Sequence, residues 1–421
     1  MASIRVVFPT EWDQRQLGRV AEAEGHTVQW GEPDDDACPW DFDVLGYVEE
    51  EVARGGFDGV FSSSDYPGAT VAGAIATRLG LPGTPPERVI RCSHKYYSRV
   101  TQREAAPEAT PRFWLVDPDA PPDDLVFPCF VKPVKGAFSV MSARIGSRRE
   151  LDAFLRQPAA REFLSSYVDI FNRLVRGLTD LEVDGRAFVA EALLTGRQAT
   201  VEGYVGPDGP ALVGVVDSVR HPKTKSFVRF DYPSSLPRRL QEKAWDVSRR
   251  AVLALGLEHT MFNVEVMVDA EEERVSIVEI NPRMCGQFAD LYEKVDGVSG
   301  YAIALALAAG APPPRRRREG GHAVASSVPL RIFEPSLVER APSDDDLRRA
   351  EALFDGTLCW SECETGARLD DFHTCEDGKS ARYGIVNLGA PSREALKTRL
   401  AEVKETLGFR MRPLRDGAPG G

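Results

Sequence analysis

Two short segments, Asn263-Val-Glu-Val-Met-Val268 and Ser276-Ile-Val-Glu-Ile-Asn-Pro-Arg283, limit what this chain can become more than any other feature. Each alternates apolar and polar residues with period two, the pattern of a half-buried strand. The charged run from Asp269 to Arg274 between them is turn material, so the pair reads as an antiparallel hairpin. If Asp269 pairs with Val275, Glu265 stands directly opposite Glu279. Asn281 then shares a face with Glu279, because side chains at i and i+2 point the same way, and Arg283 follows just beyond. Two carboxylates so close repel each other unless a cation neutralises them. Two carboxylates and an amide oxygen are hard donors, suited to Mg²⁺ shared with phosphate groups. The plain alternative is a surface hairpin with ordinary charges.

At 421 residues the chain exceeds what one core can serve, so several domains are expected. Its net charge of −12 argues against general nucleic-acid binding and against an anionic membrane surface. The opening Met1-Ala-Ser-Ile-Arg-Val-Val-Phe reads as a first strand and not as a signal peptide, and the longest apolar run, Tyr301 to Ala309, is too short to span a bilayer. Seven scattered cysteines fit reduced thiols, and a cytoplasmic protein is expected. Cys359, Cys363, His373 and Cys375 lack the paired close spacing of a zinc site and read as loop and strand residues.

Along the chain, a strand at Ile4 to Phe8, a helix at Glu11 to Glu24, a strand at Gly59 to Ser62 and a helix at Gly68 to Leu79 alternate as in a small parallel α/β domain. It carries neither G-x-G-x-x-G nor G-x-x-x-x-G-K-[ST], which excludes a nicotinamide-binding Rossmann fold and a P-loop NTPase. Strands are expected at Phe130 to Pro133, Val140 to Ile145, Phe188 to Leu194, Gln198 to Val205 and Leu212 to Val219, with an amphipathic helix from Pro237 to Leu255 stopped by Gly256. Residues 159–184 read as mixed and partly helical. Ala311 to Gly321, with three prolines and four arginines, reads as a linker, and the last hundred residues as a compact α+β unit.

The order Lys95…Arg99, Val131-Lys-Pro133, Ala190-Glu191, Asn263-x-Glu265 and Glu279-Ile-Asn-Pro-Arg283 resembles the ATP-grasp superfamily, and within it the carboxylate–amine ligases that include bacterial L-amino acid ligases. The resemblance spans nearly the whole chain. It implies an α/β and α+β multidomain ATP-grasp fold: an N-terminal parallel α/β domain (1–92), two ATP-gripping lobes (93–186 and 187–312), a linker (313–321) and a C-terminal α+β domain (322–414). It implies ATP and a pair of Mg²⁺ ions, replaceable by Mn²⁺, with Glu265, Glu279 and Asn281 as metal ligands. Lys95 and Lys132 would hold phosphates, and Gly136 and Ser139 would lie in the small loop over the triphosphate, which here has one glycine and a bulky Phe138. Glu191, Ala192 and Leu193 would meet the adenine or ribose, and Glu202 would face the nucleotide or remain an ordinary surface carboxylate.

Arg283 would bind an acyl phosphate, with Glu279 as the second catalytic residue. Small-molecule carboxylate and amine substrates, amino acids foremost, and a homodimer are the partners so implied. Two rivals stand beside this reading: an enzyme activating formate or bicarbonate, and a nucleotide-binding scaffold without turnover. His221, Lys223 and Lys225 form a basic loop that reads as a substrate lid or as mobile surface.

Overall fold

A computed structural model describes residues 1–32, 42–136, 140–370, 372 and 379–414. Three short parallel strands open the chain: β1 (Ser3–Val6), β2 (Thr27–Trp30) and β3 (Gly59–Phe61), in the order β2-β1-β3. Helices α1 (Glu11–Ala23), α2 (Val44–Arg54) and α3 (Gly68–Leu79) alternate with them, giving the parallel α/β arrangement that the sequence pattern predicts. Helix α3 is buried from Gly68 to Ala76, because its alanines and valines let neighbours approach on every side. Next come α4 (Pro86–Ser93) and α5 (Lys95–Ala105), separated at His94.

Strands β4 (Phe113–Val116), β5 (Cys129–Pro133), β6 (Ala143–Ile145) and β7 (Phe188–Ala192) form an antiparallel sheet in the order β4-β7-β5-β6. The segment that periodicity leaves unplaced holds two helices. After α6 (Arg148–Leu155), α7 (Pro158–Ser165) packs on this sheet, while α8 (Asp169–Leu178) packs against the first α/β unit through Ile170, Phe171, Leu174 and Val175. Its apolar residues therefore serve a distant core, which local pattern cannot show.

Eight strands make the largest sheet. β8 (Arg197–Gly206), β9 (Gly209–Arg220), β10 (Phe227–Tyr232), β11 (Thr260–Asp269), β12 (Arg274–Asn281) and β13 (Val324–Ile332) belong to it. β14 (Ser336–Arg340), β16 (Arg368–Leu369) and β18 (Arg410–Pro413) form a small separate sheet, whereas β15 (Leu358–Ser361) and β17 (Ala381–Ala390) join the large one. Its order is β12-β11-β8-β9-β10-β13-β17-β15, so strands from the last hundred residues continue the sheet that begins at the hairpin. The join runs through β10, a segment to which the sequence pattern assigns no element; Phe230 pairs with Ser327 across it.

One face of the large sheet is apolar. Ala199, Val201, Val264, Val266 and Ile277 pack under helix α9 (Arg238–Ala254), whose buried Leu240, Ala244, Val247 and Ala251 recur every three or four residues. Gly256 follows with φ of +72°, a left-handed conformation that stops a helix at little cost in glycine. The intervening residues Gln198, Thr200 and Glu202 on β8 and Asn263 and Glu265 on β11 fall on the opposite face by strand alternation. Helices α10 (Ala289–Asp296) and α11 (Gly300–Ala308) follow the hairpin, and α12 (Asp344–Glu351) and α13 (Arg393–Leu407) cover the C-terminal strands. The arginine run after α11 is tacked down: Arg315 Nε donates to the Tyr204 hydroxyl at 2.9 Å and the Arg318 N–H to Asp296 at 2.8 Å. Among the described residues no helix is long and apolar enough to cross a membrane.

Candidate functional site

The hairpin β11–β12 places Glu265 opposite Glu279 and Asn263 opposite Asn281. It arrives there by another route than simple counting. At the turn Asp269 faces Arg274, one residue off the expected partner, and the register shifts between Glu265 and Val266. Val278 is the extra residue of this β-bulge, and its insertion brings the two glutamates level. Because β12 is also the sheet's edge strand, the Val278 carbonyl is open to other elements. Lys132 Nζ donates to it at 3.1 Å and Arg99 Nη2 at 2.8 Å. One bulged residue thus sets the carboxylate pair and docks the four-stranded sheet on the hairpin.

Around that contact the cations are buried. Lys132 and Arg99 are 6% and 2% exposed, and both hold Glu191, at 3.1 Å and 2.7 Å. Burial pushes the Glu191 carboxyl up, but the Arg99 and Lys132 charges outweigh it and bring the group down to about 2. Burial dominates at Lys132 and lowers its ammonium, partly offset by Glu191. Lys95, the first residue of α5, donates to the Gly136 carbonyl at 2.8 Å and lies 3.3 Å from Glu279.

Glu265 is held differently. Gln198 Nε2 donates to its Oε2 at 2.7 Å, and burial first and the Glu279 charge second push it up to about 7. A divalent cation beside these side chains would relieve both causes, so the donor set fits one. Among the described residues no three His, Cys, Asp or Glu side chains gather as a metal-binding group. Two carboxylates and an amide are a partial set, of the kind Mg²⁺ completes with phosphate oxygens and water.

Arg283 lies past the end of β12, with Nε 4.0 Å from Asp65. Asp65 follows β3 and also accepts from Lys135 Nζ at 2.8 Å. Burial pushes Asp65 up, yet the Lys135 and Arg283 charges hold it well below the usual carboxylate range. The first α/β unit therefore reaches the same junction.

Several expected residues already have partners within the protein. Glu191 spends both oxygens on Arg99 and Lys132, so its geometry is that of an anchor for cations and not of a group meeting adenine or ribose. The Ala192 N–H already donates to the Arg112 carbonyl at 2.9 Å, while Leu193, 38% exposed, projects at the end of β7. Glu202 is fully buried, accepting from the Cys285 N–H at 2.8 Å, from Tyr292 at 3.1 Å and from Asn263 at 3.3 Å. It is neither a surface carboxylate nor open to a nucleotide; burial pushes it up to about 7 against those donors. Gly136 ends a described stretch, and Ser139 lies outside the described residues, as do His373 and Cys375. Asp65, Lys135, Gln198 and Arg220 are absent from the residues the sequence singles out. Only Ser62-Ser-Ser-Asp65 after a strand offered a signal, as a polar run where a loop meets a helix.

Comparison with known proteins bears on the fold. Residues 125–290 match the model of the ATP-grasp domain. No curated protein sequence matches the chain. In structure it is similar to an L-amino acid ligase from Bacillus licheniformis, with a TM-score of 0.73, 17% identity and 99% of each chain covered. It is also similar to an N5-carboxyaminoimidazole ribonucleotide synthetase from Thermotoga maritima (TM-score 0.63, 14% identity, 98% of this chain and 100% of that one). A third likeness is to a biotin carboxylase from Campylobacter jejuni, at TM-score 0.60, 13% identity, and 99% and 93% coverage. The chain carries an ATP-grasp domain and has the ATP-grasp fold.

Proposed function

We propose that this chain is an ATP-dependent carboxylate–amine ligase that forms an amide or dipeptide bond through an acyl phosphate. The observation that carries the reading is the gathering of buried Lys95 and Lys132 against the Glu265–Glu279 edge, with Arg283 at its end. Two lysines and an arginine gathered at one edge suit a triphosphate of about four negative charges.

In this reading a carboxylate oxygen of the acyl substrate attacks the γ-phosphorus of ATP. The bond from that phosphorus to the bridging oxygen breaks, and ADP leaves with the electron pair. Lys95 and Lys132 offset the charge on the transferred group, and Glu191 and the Val278 carbonyl keep Lys132 in place. The amine nitrogen then attacks the acyl carbon, Arg283 stabilises the resulting oxyanion, and phosphate departs as the nitrogen loses a proton. Glu265, Glu279 and Asn281 would hold Mg²⁺, which when bound supplies charge neutralisation at the phosphate oxygens. Backbone groups at Ala192 and Leu193 would border the purine. No side-chain nucleophile is required. Cys285, whose thiol burial pushes up to about 12, is unsuited to that role.

The test is phosphate release from Mg·ATP with amino acids supplied singly and in pairs, products being weighed by mass spectrometry. Release that needs two substrates and gives their condensed mass supports the ligase. The likeness to a carboxyaminoimidazole ribonucleotide synthetase and a biotin carboxylase favours a second reading, activation of a small acyl group. Release driven by bicarbonate or formate and indifferent to bulkier acids would select it.

A further inference from the structure

We infer that Gln198 and Arg220 form a relay that positions Glu265 for the divalent ion, an inference resting on the proposal that Glu265 is a metal ligand. Gln198 Nε2 donates to Glu265 Oε2 at 2.7 Å, and the opposite end of the same amide accepts from Arg220 Nη2. Gln198 is 7% exposed and stands on β8, between β9, which carries Arg220, and β11, which carries Glu265.

A side-chain amide can be reversed end for end, presenting a donor or an acceptor to the same neighbour. Facing a carboxylate, only the NH₂ end is tolerable, since the carbonyl would set oxygen against oxygen. Arg220 removes that ambiguity, because its guanidinium has donors alone and claims the carbonyl end. Its stacking above the Phe227 ring, 5.3 Å from the centroid, holds it in place. The order arginine, amide, carboxylate therefore fixes both the plane of Glu265 and which oxygen is committed to protein. Across the remaining strand stands Glu279, so the carboxylate facing the ion is oriented from the side away from it. Outer partners of this kind commonly govern metal affinity by about 10–100-fold.

Arg220 has two opposed effects. Its charge repels a cation, while its hydrogen bond orients the amide that favours one. Gln198→Leu deletes the amide at similar size and should raise the Kd for Mn²⁺, measured by electron paramagnetic resonance with ADP present, about 10-fold or more. Arg220→Met should weaken Mn²⁺ binding in the otherwise native chain, yet leave it unchanged or tighten it in the Gln198→Leu background, where nothing remains to be oriented. Arg220→Lys, which keeps a donor and the charge, should restore most of the affinity.

Glu265→Gln separates the failures. If it leaves Mn²⁺ binding intact, the metal site itself is misassigned. If it abolishes binding while Gln198→Leu changes nothing, or if Arg220→Met has the same effect in both backgrounds, the relay is overturned. Metal-free ADP affinity should stay level through the Gln198 and Arg220 series.

Discussion

Glu191 on the four-stranded sheet and Glu265 on the eight-stranded sheet are carboxylates on two sheets that Lys132 joins at the Val278 carbonyl, and burial pushes both upward. They end at opposite extremes. Glu191 has two cations within 3.1 Å and comes down to about 2, whereas Glu265 faces another carboxylate and rises to about 7. The first region balances its charges internally, and that balance makes it a stable dock. The second leaves Glu265 beside a like charge, a condition that a bound cation would relieve. Burial alone separates structural from functional carboxylates poorly; the sign of the neighbours does it well.

The largest effect expected from this contrast is on turnover. Glu279→Gln keeps the shape of the hairpin while removing one charge from the proposed ion site, and phosphate release should fall by about 1,000-fold or more. The melting midpoint should change little, since the charge removed repels Glu265 but also pairs with Lys95. Retained activity would break the assignment of the second region as the ligand site.

Next in size is stability. Glu191→Leu leaves Arg99 and Lys132 buried without their carboxylate and should cost about 3–5 kcal/mol in urea unfolding, the usual penalty for breaking one side of a buried pair. Glu265→Gln should leave stability level or slightly higher. The opposite ranking would mean that Glu265, and not Glu191, is the structural carboxylate.

The hairpin was legible because alternation and a charged turn are local signals, and the carboxylates fell on one face whatever the details at the turn. The bulge at Val278 was not read, although the adjacent apolar pair Ile277-Val278 interrupts the strand's alternation there. Counting from the turn named the right glutamate pair, although the structure reaches it from a different turn register. Lys132 read correctly as a buried lysine, yet its partners Glu191 and Val278 lie 59 and 146 residues away in sequence. Glu191 and Glu202 were singled out in strands that do form. Their partners were not legible, because ion pairs and full enclosure are properties of the assembled sheets. Strand β10 was missed for the same reason: its pairing with β13 spans about a hundred residues.

Titration sharpens the comparison through Glu202, a third buried carboxylate. Glu191, lowered from 4.5 to about 2, stabilises the fold above its unfolded value, and that contribution is lost as pH falls toward about 2. Glu202, raised from 4.5 to about 7, acts in the other direction. Its contribution is fully present below about 4.5 and is lost as pH rises through about 7. The melting midpoint should therefore decline from pH 5 to pH 8, and Glu202→Gln, which cannot ionise, should flatten part of that decline. A variant curve parallel to the native one would remove Glu202 as its cause.

The smallest effect expected concerns the loop between β9 and β10, which touches both regions. Lys225 lies over the Phe130 ring of β5 at 4.7 Å, while His221 stacks on Phe333 at 4.1 Å between ring centres. Phe130 and Lys132 share a face of β5, so the loop crosses from the eight-stranded sheet toward the strand that carries a proposed phosphate-binding lysine. Exposed cation–π contacts contribute about 0.5–1 kcal/mol, enough to bias a loop without locking it. Lys225→Met and His221→Ala should accordingly raise KM for the second substrate by about 2–5-fold, the factor that such an energy allows, and leave kcat near its native value. A fall in kcat at constant KM would place the loop at the chemistry itself, and unchanged kinetics would make it surface.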